Sequence, residues 1–175
     1  MKISLRISLL FICAMLMQSC GVLSFSDYIE LPGIHSFSVQ DFTAGSADIE
    51  DHTRQRLAQL LREYIVRNTR LTQVNDYGDI CYAGNIISIK CDTDDQQEYG
   101  YSSSNNRSNN RLTTLTIVAT VSCTNNNSGA KSFQNRIFSA KSYILNGKDP
   151  KSKESIEQVL EKLVRDIYEQ TLNTW

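Results

Sequence analysis

From Leu112 to Thr124 the chain alternates with a period of two, with Leu115, Ile117, Ala119, Val121 and Cys123 on one parity and Thr114, Thr116, Val118, Thr120 and Ser122 on the other. Successive side chains point to opposite faces only in an extended strand, so this stretch calls for a sheet with one face on a core. Asn125-Asn126-Asn127-Ser128-Gly129 follows, and Asn and Gly tolerate the positive φ of a tight turn. Phe133 to Tyr143 then returns as the second arm of a hairpin, with weaker alternation: Phe133 and Ile137 are opposed by Phe138 and Ala140. Pro150 ends the sheet, and Ser152 is placed to cap a helix whose apolar stripe is Ile156, Val159, Leu160, Leu163, Val164, Ile167 and Tyr168. Lys153, Glu157, Glu161, Lys162, Arg165 and Glu169 take its solvent side.

Upstream, Ile34 to Phe42 places His35, Phe37 and Val39 on one parity and Ser36, Ser38 and Gln40 on the other, the pattern of a half-buried strand. Gly45 and Ser46 break it, and Ser46 or Asp48 can cap a helix over about Asp48 to Asn68, where Leu57, Leu60, Leu61, Tyr64 and Ile65 recur at three- and four-residue steps. Leu71 to Val74 is a short strand, and Asp76-Tyr77-Gly78-Asp79 turns the chain into a longer one from Ile80 to about Cys91. Both parities of that strand are apolar. Ile80, Tyr82, Gly84 and Ile86 form one set and Cys81, Ala83, Ile87, Ile89 and Cys91 the other, which implies a strand covered on both faces. Asp92 to Arg111 is a polar insertion rich in Ser, Asn, Asp and Gln, a composition that favours disorder in isolation. The order of elements gives an α+β domain: a mixed or antiparallel sheet of about four strands with both helices packed on one face.

The N-terminus reads differently. Lys2 and Arg6 precede an apolar run from Ile7 to Met17, too short to cross about 30 Å of hydrocarbon as a helix. This is the pattern of an export signal, and Leu16-Met17-Gln18-Ser19-Cys20-Gly21 resembles the lipobox of bacterial lipoproteins. The resemblance implies cleavage before Cys20, whose sulfur and new amino group then carry acyl chains; at about 0.8 kcal/mol per buried methylene these hold a small protein on a membrane. Glycine rather than aspartate at position 21 favours the outer membrane by the lipoprotein sorting rule. The expected organisation is a cleaved signal over residues 1–19, a lipidated tether over 20–33 and one domain over 34–175. Removing residues 1–19 from 175 leaves 156, the size of one domain with a respectable core.

Charge and chemistry narrow the function. The leader holds two of the 18 basic residues and no acid, so the remainder has 16 Lys and Arg against 19 Asp and Glu, a formal −3, which is not the balance of a nucleic-acid binder. Cys81, Cys91 and Cys123 remain after Cys13 leaves with the signal and Cys20 is acylated, an odd number without CxxC or Cys/His zinc spacing. The two histidines, His35 and His52, stand in no HxH, HxxxH or HExxH relation. Asp92-Thr93-Asp94-Asp95-Gln96-Gln97-Glu98 lacks the glycine and closing glutamate of a calcium loop, and the glycines are scattered rather than gathered into a phosphate cradle. No catalytic residue, metal ligand or cofactor is therefore assigned.

Taken together, the lipobox with Gly21-Val22-Leu23-Ser24-Phe25-Ser26, Pro32-Gly33 before the strand around Phe37-Ser38-Val39, the helix with Leu57 and Leu60-Leu61, Gly78-Asp79-Ile80 followed by Tyr82 and Gly84, the strand from Leu115 to Thr124 and the closing helix ending at Trp175 resemble LptE, the lipopolysaccharide-assembly lipoproteins, in their Bacteroidota type. The resemblance implies a non-catalytic outer-membrane lipoprotein that plugs a large β-barrel of the LptD type. It would lie on the periplasmic side and within the barrel lumen, and assist lipopolysaccharide delivery to the surface. A free-standing outer-membrane lipoprotein that binds polysaccharide or another periplasmic ligand through residues 92–111 is the competing expectation. The insertion at 92–111 is longer and more polar than the family pattern. That pattern turns Ile80, Tyr82, Gly84 and Ile86 to the core, with Cys81 and Cys91 away from Cys123; the opposite parity sets Cys81 nearly opposite Cys123 and permits a disulfide. Lipopolysaccharide phosphates call for cations at loop tips, and Arg107, Arg111 and Lys131 are the candidates.

Overall fold

The structure, a computed structural model, describes residues 31–94, 112–127, 132–144 and 149–172. The elements are β1 (Ser36–Val39), β2 (Thr43–Ala44), α1 (Asp51–Asn68), β3 (Thr72–Gln73), β4 (Ile80–Asp94), β5 (Leu112–Asn125), β6 (Phe133–Ile144) and α2 (Lys153–Thr171). They form a mixed, six-stranded sheet in the order β3-β1-β4-β5-β6, with β2 also paired to β4. The class is the expected α+β; β3 falls within the short strand expected at Leu71 to Val74, and the strand not expected is the two-residue β2, too short to announce itself by periodicity. β1 runs parallel to both β3 and β4, and β4-β5-β6 are antiparallel hairpins. β1 has a neighbour on each side, and Ser38 is buried along with Phe37 and Val39, while His35, just outside the strand, is exposed.

Both helices cover one face of the sheet. α2 lies over β5 and β6, α1 lies over the β1–β3 side, and the two helices touch. They run parallel, since Arg56 meets Glu157 near their starts and the rings of Tyr64 and Tyr168 meet edge to face, 5.0 Å between centroids, near their ends. The stripe expected for α2 is the observed one: Val159, Leu160, Leu163, Val164 and Ile167 are fully buried, each contributing about 1.5–3 kcal/mol of burial. Its start is also as expected, with the Ser152 hydroxyl accepting from the Ser155 amide at 3.3 Å. The start of α1 is not. Its N-cap is Glu50, which makes no side-chain cap bond, and Ser46 and Asp48 hydrogen-bond each other instead.

β4 corrects the expectation of a strand covered on both faces. Ile80, Tyr82 and Ile86 face the core, paired with Asn125, Cys123 and Ala119 of β5. The register then shifts between Ile86 and Ser88, so that Ile87 and Ser88 together oppose Val118. Beyond this bulge the parity is inverted, and Ile89 and Cys91, opposite Ile117 and Leu115, pack on the core. A single apolar face switched parity at Ile87, which in the sequence looks like two.

The bulge also settles the cysteine geometry. Cys81 pairs with Thr124 and points to the face away from Cys123; Cys91 shares the face of Cys123 but sits opposite Leu115, eight residues along β5, or about 27 Å at 3.4 Å per residue. All three are free thiols. The expectation that Cys91 points away from Cys123 is thus overturned by the bulge, and that for Cys81 holds.

Candidate functional site

Three surfaces are built by this architecture. The first is the helix-free face of the sheet. Thr114, Thr116, Val118, Thr120 and Ser122 of β5 form its centre, all half-exposed and uncharged, flanked by Ile87 on β4 and by Ile137 and Tyr143 on β6. Ile87, Ile137 and Tyr143 are 39%, 67% and 59% exposed, so three of the five large apolar residues exposed among the described residues lie on this one face. No described helix crosses it.

The second surface is a cleft of about 350 Å³ between the starts of the helices, rimmed by Glu50, His52, Arg56, Lys151, Lys153 and Glu157. Arg56 Nε donates to both oxygens of Glu157 at 2.8 and 3.0 Å, with a further bond from Nη2. These bonds hold the Glu157 carboxyl below the usual range and raise Arg56, so the main cation of the cleft is already neutralised. Among the described residues no group of three or more His, Cys, Asp or Glu could hold a metal ion.

The third is the end of the sheet where the described chain begins. Asp79 accepts from the amides of His35 and Ser36 at 2.8 and 2.9 Å and from the Ser36 hydroxyl at 3.0 Å, and these bonds, the His35 amide foremost, lower its carboxyl pKa. Asn126 closes the same end, donating to the Gly78 and Asp79 carbonyl oxygens at 2.8 Å each. Tyr77 stands here 95% exposed, with a positive φ of 55°.

Three of the arginines of α1, Arg54, Arg56 and Arg62, are occupied. Arg62 donates to the Val39 carbonyl at 2.7 Å and to Asp41 at 3.1 Å, and Arg54 to the Phe42 carbonyl at 3.2 Å, pinning the β1–β2 connection to the helix. Cys20, Arg107, Arg111 and Lys131 lie outside the described residues, as do the tether to residue 30 and Trp175. The strand ends that bracket the three cations are described. The connection holding Arg107 and Arg111 leaves the sheet at the Asp94–Leu112 pair, whereas that holding Lys131 leaves at the Asn125–Phe133 end. The 14 residues of β5 separate these ends by about 45 Å.

The model of the lipopolysaccharide-assembly family LptE matches residues 34–174. This chain belongs to the LptE family. Its sheet with two helices on one face is similar to that of protein CT253 from Chlamydia trachomatis, at 8% identity and a TM-score of 0.50 over 78% of this chain and 95% of that one. A minor lipoprotein from Acinetobacter baumannii matches at 15% identity and a TM-score of 0.44 over 78% and 91% of the two chains. Protein XCC0632 from Xanthomonas campestris matches at 13% and 0.44 over 82% and 90%. Among curated proteins none matches this sequence.

For an LptE-family member whose work is assembly, the informative residues are those that the fold leaves uncovered. Ile87, Ile137 and Tyr143 were absent from the sequence-derived site. Their signal was present: Ile137 and Tyr143 share the parity opposite to Phe138 and Ala140, but assigning that parity to solvent required knowing which side of β6 the helices take.

Proposed function

We propose that this LptE-family chain is a non-catalytic lipoprotein, acylated at Cys20, which sits at the outer membrane on the periplasmic side. There it enters the lumen of an LptD-type β-barrel and assists delivery of lipopolysaccharide. The observation that carries the reading is the family match across residues 34–174. The helix-free sheet face supplies a partner surface of suitable chemistry: short hydroxyl side chains can satisfy the polar inward side chains of a barrel wall, Val118 and Ile87 add apolar contact, and Lys90 and Lys141 stand on either side of Thr116. Lipopolysaccharide contacts are assigned to Arg107, Arg111 and Lys131, which lie outside the described residues.

The test is site-specific photo-crosslinking in intact cells from Thr116 and Val118, with Glu161 on the outer face of α2 as a control position. Adducts to a large outer-membrane barrel from the sheet positions support the reading. A free protein at every position, as a solitary polysaccharide binder would give, contradicts it. For the cations, replacing Arg107, Arg111 and Lys131 with alanine should weaken lipopolysaccharide binding and spare barrel association; unchanged binding removes that site.

A further inference from the structure

Between β3 and β4 the chain crosses the backbone of β1 in the few residues from Val74 to Asp79, and both sides of that crossing are pinned. The Val74 amide donates to the Phe37 carbonyl at 2.9 Å, and Gly78 lies so close to β1 that a Cβ there would be 2.6 Å from the Phe37 carbonyl carbon. Asp79 ties the far side to the His35 and Ser36 amides, and the Asn126 side chain donates to the Gly78 carbonyl. Between these fixed points Tyr77 takes φ 55°, a left-handed conformation that Gly or Asn adopts readily and that crowds the Cβ of a bulky residue. The crossing dictates the backbone; it does not dictate the ring. That ring is 95% exposed, the most exposed of the large apolar side chains among the described residues, and makes no hydrogen bond or ring contact with them.

The described chain enters the domain at this same end. Pro32, Gly33 and His35 are exposed there, and the Asn127 side chain donates to the Gly33 carbonyl. Cys20 stands eleven residues before Leu31. Eleven residues span at most about 40 Å, so with acyl chains on Cys20 covalent length holds this end nearest the bilayer, and the far end of the sheet lies about 45 Å beyond it along β5. Val66, in the last turn of α1 and 50% exposed, reaches the same end from the helix layer. The exposed charges beside these two residues balance, Arg67 and Arg70 against Asp76 and Glu169. An end with little net charge, a projecting ring that is apolar in body and polar at its tip, and an aliphatic side chain matches the chemistry of a lipid headgroup layer, where tyrosine collects.

We infer that Tyr77 is an interfacial membrane anchor: together with the acyl chains on Cys20 it attaches the domain to the lipid leaflet at two points and stands the strands of the sheet along the bilayer normal. The inference rests on the acylation in the reading above and goes beyond it, because a lipidated tether alone leaves the body free to turn on the membrane. An upright body carries its helix starts away from the leaflet and presents the helix-free face sideways, toward a barrel in the same membrane.

The test uses the full-length acylated chain reconstituted into neutral phosphatidylcholine vesicles. Trp175→Phe removes the one native indole, and Tyr77→Trp then places a single reporter in the turn; Glu161→Trp, on the outer face of α2, is the control that a body lying on its side would bring to the lipid. Circular dichroism checks that both variants keep the fold, and flotation with the vesicles checks the acyl anchor. Phosphatidylcholine brominated near the headgroup end of its acyl chains should quench the indole at position 77 several-fold more than that at position 161, and the emission of the first should shift to the blue when vesicles replace detergent-free buffer around the unacylated Cys20→Ala chain. A chain that floats while position 77 is quenched no more than position 161 overturns the inference and leaves the acylation standing. A chain that does not float contradicts the acylation reading, and the inference falls with it.

Discussion

The hydroxyl of Tyr82, in the middle of the sheet, donates to Thr171 Oγ1 in the last turn of α2 at 3.0 Å, with both side chains buried. This bond locks the end of the closing helix to β4 across 89 residues of chain. Its two partners are not equivalent. Thr171 Oγ1 also donates to the Ile167 carbonyl at 2.7 Å, so Tyr82→Phe leaves it a partner and should cost about 0.5–1.5 kcal/mol. Thr171→Val strands a buried phenol, fully enclosed, beside the weakly accepting sulfur of Cys123, and should cost more, about 1–3 kcal/mol. Urea denaturation of the two variants checks the order; equal costs would mean that the bond is not the one drawn.

Phe42 packs directly over Gly84. A Cβ at Gly84 would lie 2.3 Å from Phe42 Cε1 and 2.6 Å from the Thr120 carbonyl oxygen, so the absent side chain is what admits the ring. Gly84→Ala should destabilise by about 1–3 kcal/mol, as overpacked cores do. Adding Phe42→Leu should recover part of that loss, because the ring can yield while the Thr120 backbone cannot. Additive losses in the double variant would show that the two sites do not share space.

Acid should loosen the sheet end held by Asp79 and the seam between the helix starts held by Glu157. Asp79 and Glu157 both have carboxyl pKa values lowered in the fold, so the unfolded chain binds protons more readily. Their contributions are present above the unfolded carboxylate range near 4 and are lost as pH falls through the lower folded values. Arg56→Ala should flatten part of the stability decline measured between pH 5 and 2, with a neutral-pH cost of at most about 1 kcal/mol, reduced by salt, because the pair is partly exposed. An unchanged slope would contradict the linkage.

Burial pushes the Cys123 thiol from 9.0 up to about 12. A raised folded pKa means that its contribution is intact below pH 9 and is lost between 9 and 12, where the unfolded chain gives up the proton first. The thiolate is the reactive form, so Cys123 should resist iodoacetamide at pH 8 until the protein unfolds, and non-reduced mass spectrometry should show no bridge among Cys81, Cys91 and Cys123. Rapid native labelling of Cys123 would place it outside the core.

Much of the framework is local and was legible. The Leu115 to Cys123 alternation and the α2 stripe each follow from a repeating period within one segment. What was illegible depends on partners far along the chain. Nothing around Ile87 marks a bulge, since its signature is a register relative to Val118, and the parallel pairing of Phe37 with Ile80 joins residues 43 positions apart. Glu50 capping α1 in place of Ser46 or Asp48 reflects where the β2 crossover releases the chain, not which residue caps best. The candidate cations Arg107, Arg111 and Lys131 rest on loop composition and lie outside the described residues.

The central claim is association with an outer-membrane pore, and affinity purification of the tagged, acylated chain from detergent-solubilised membranes tests it most directly. The account predicts a stoichiometric large β-barrel in the eluate, lost when Cys20→Ala prevents membrane delivery. A chain that elutes without any barrel, from membranes in which it is abundant and acylated, would contradict it.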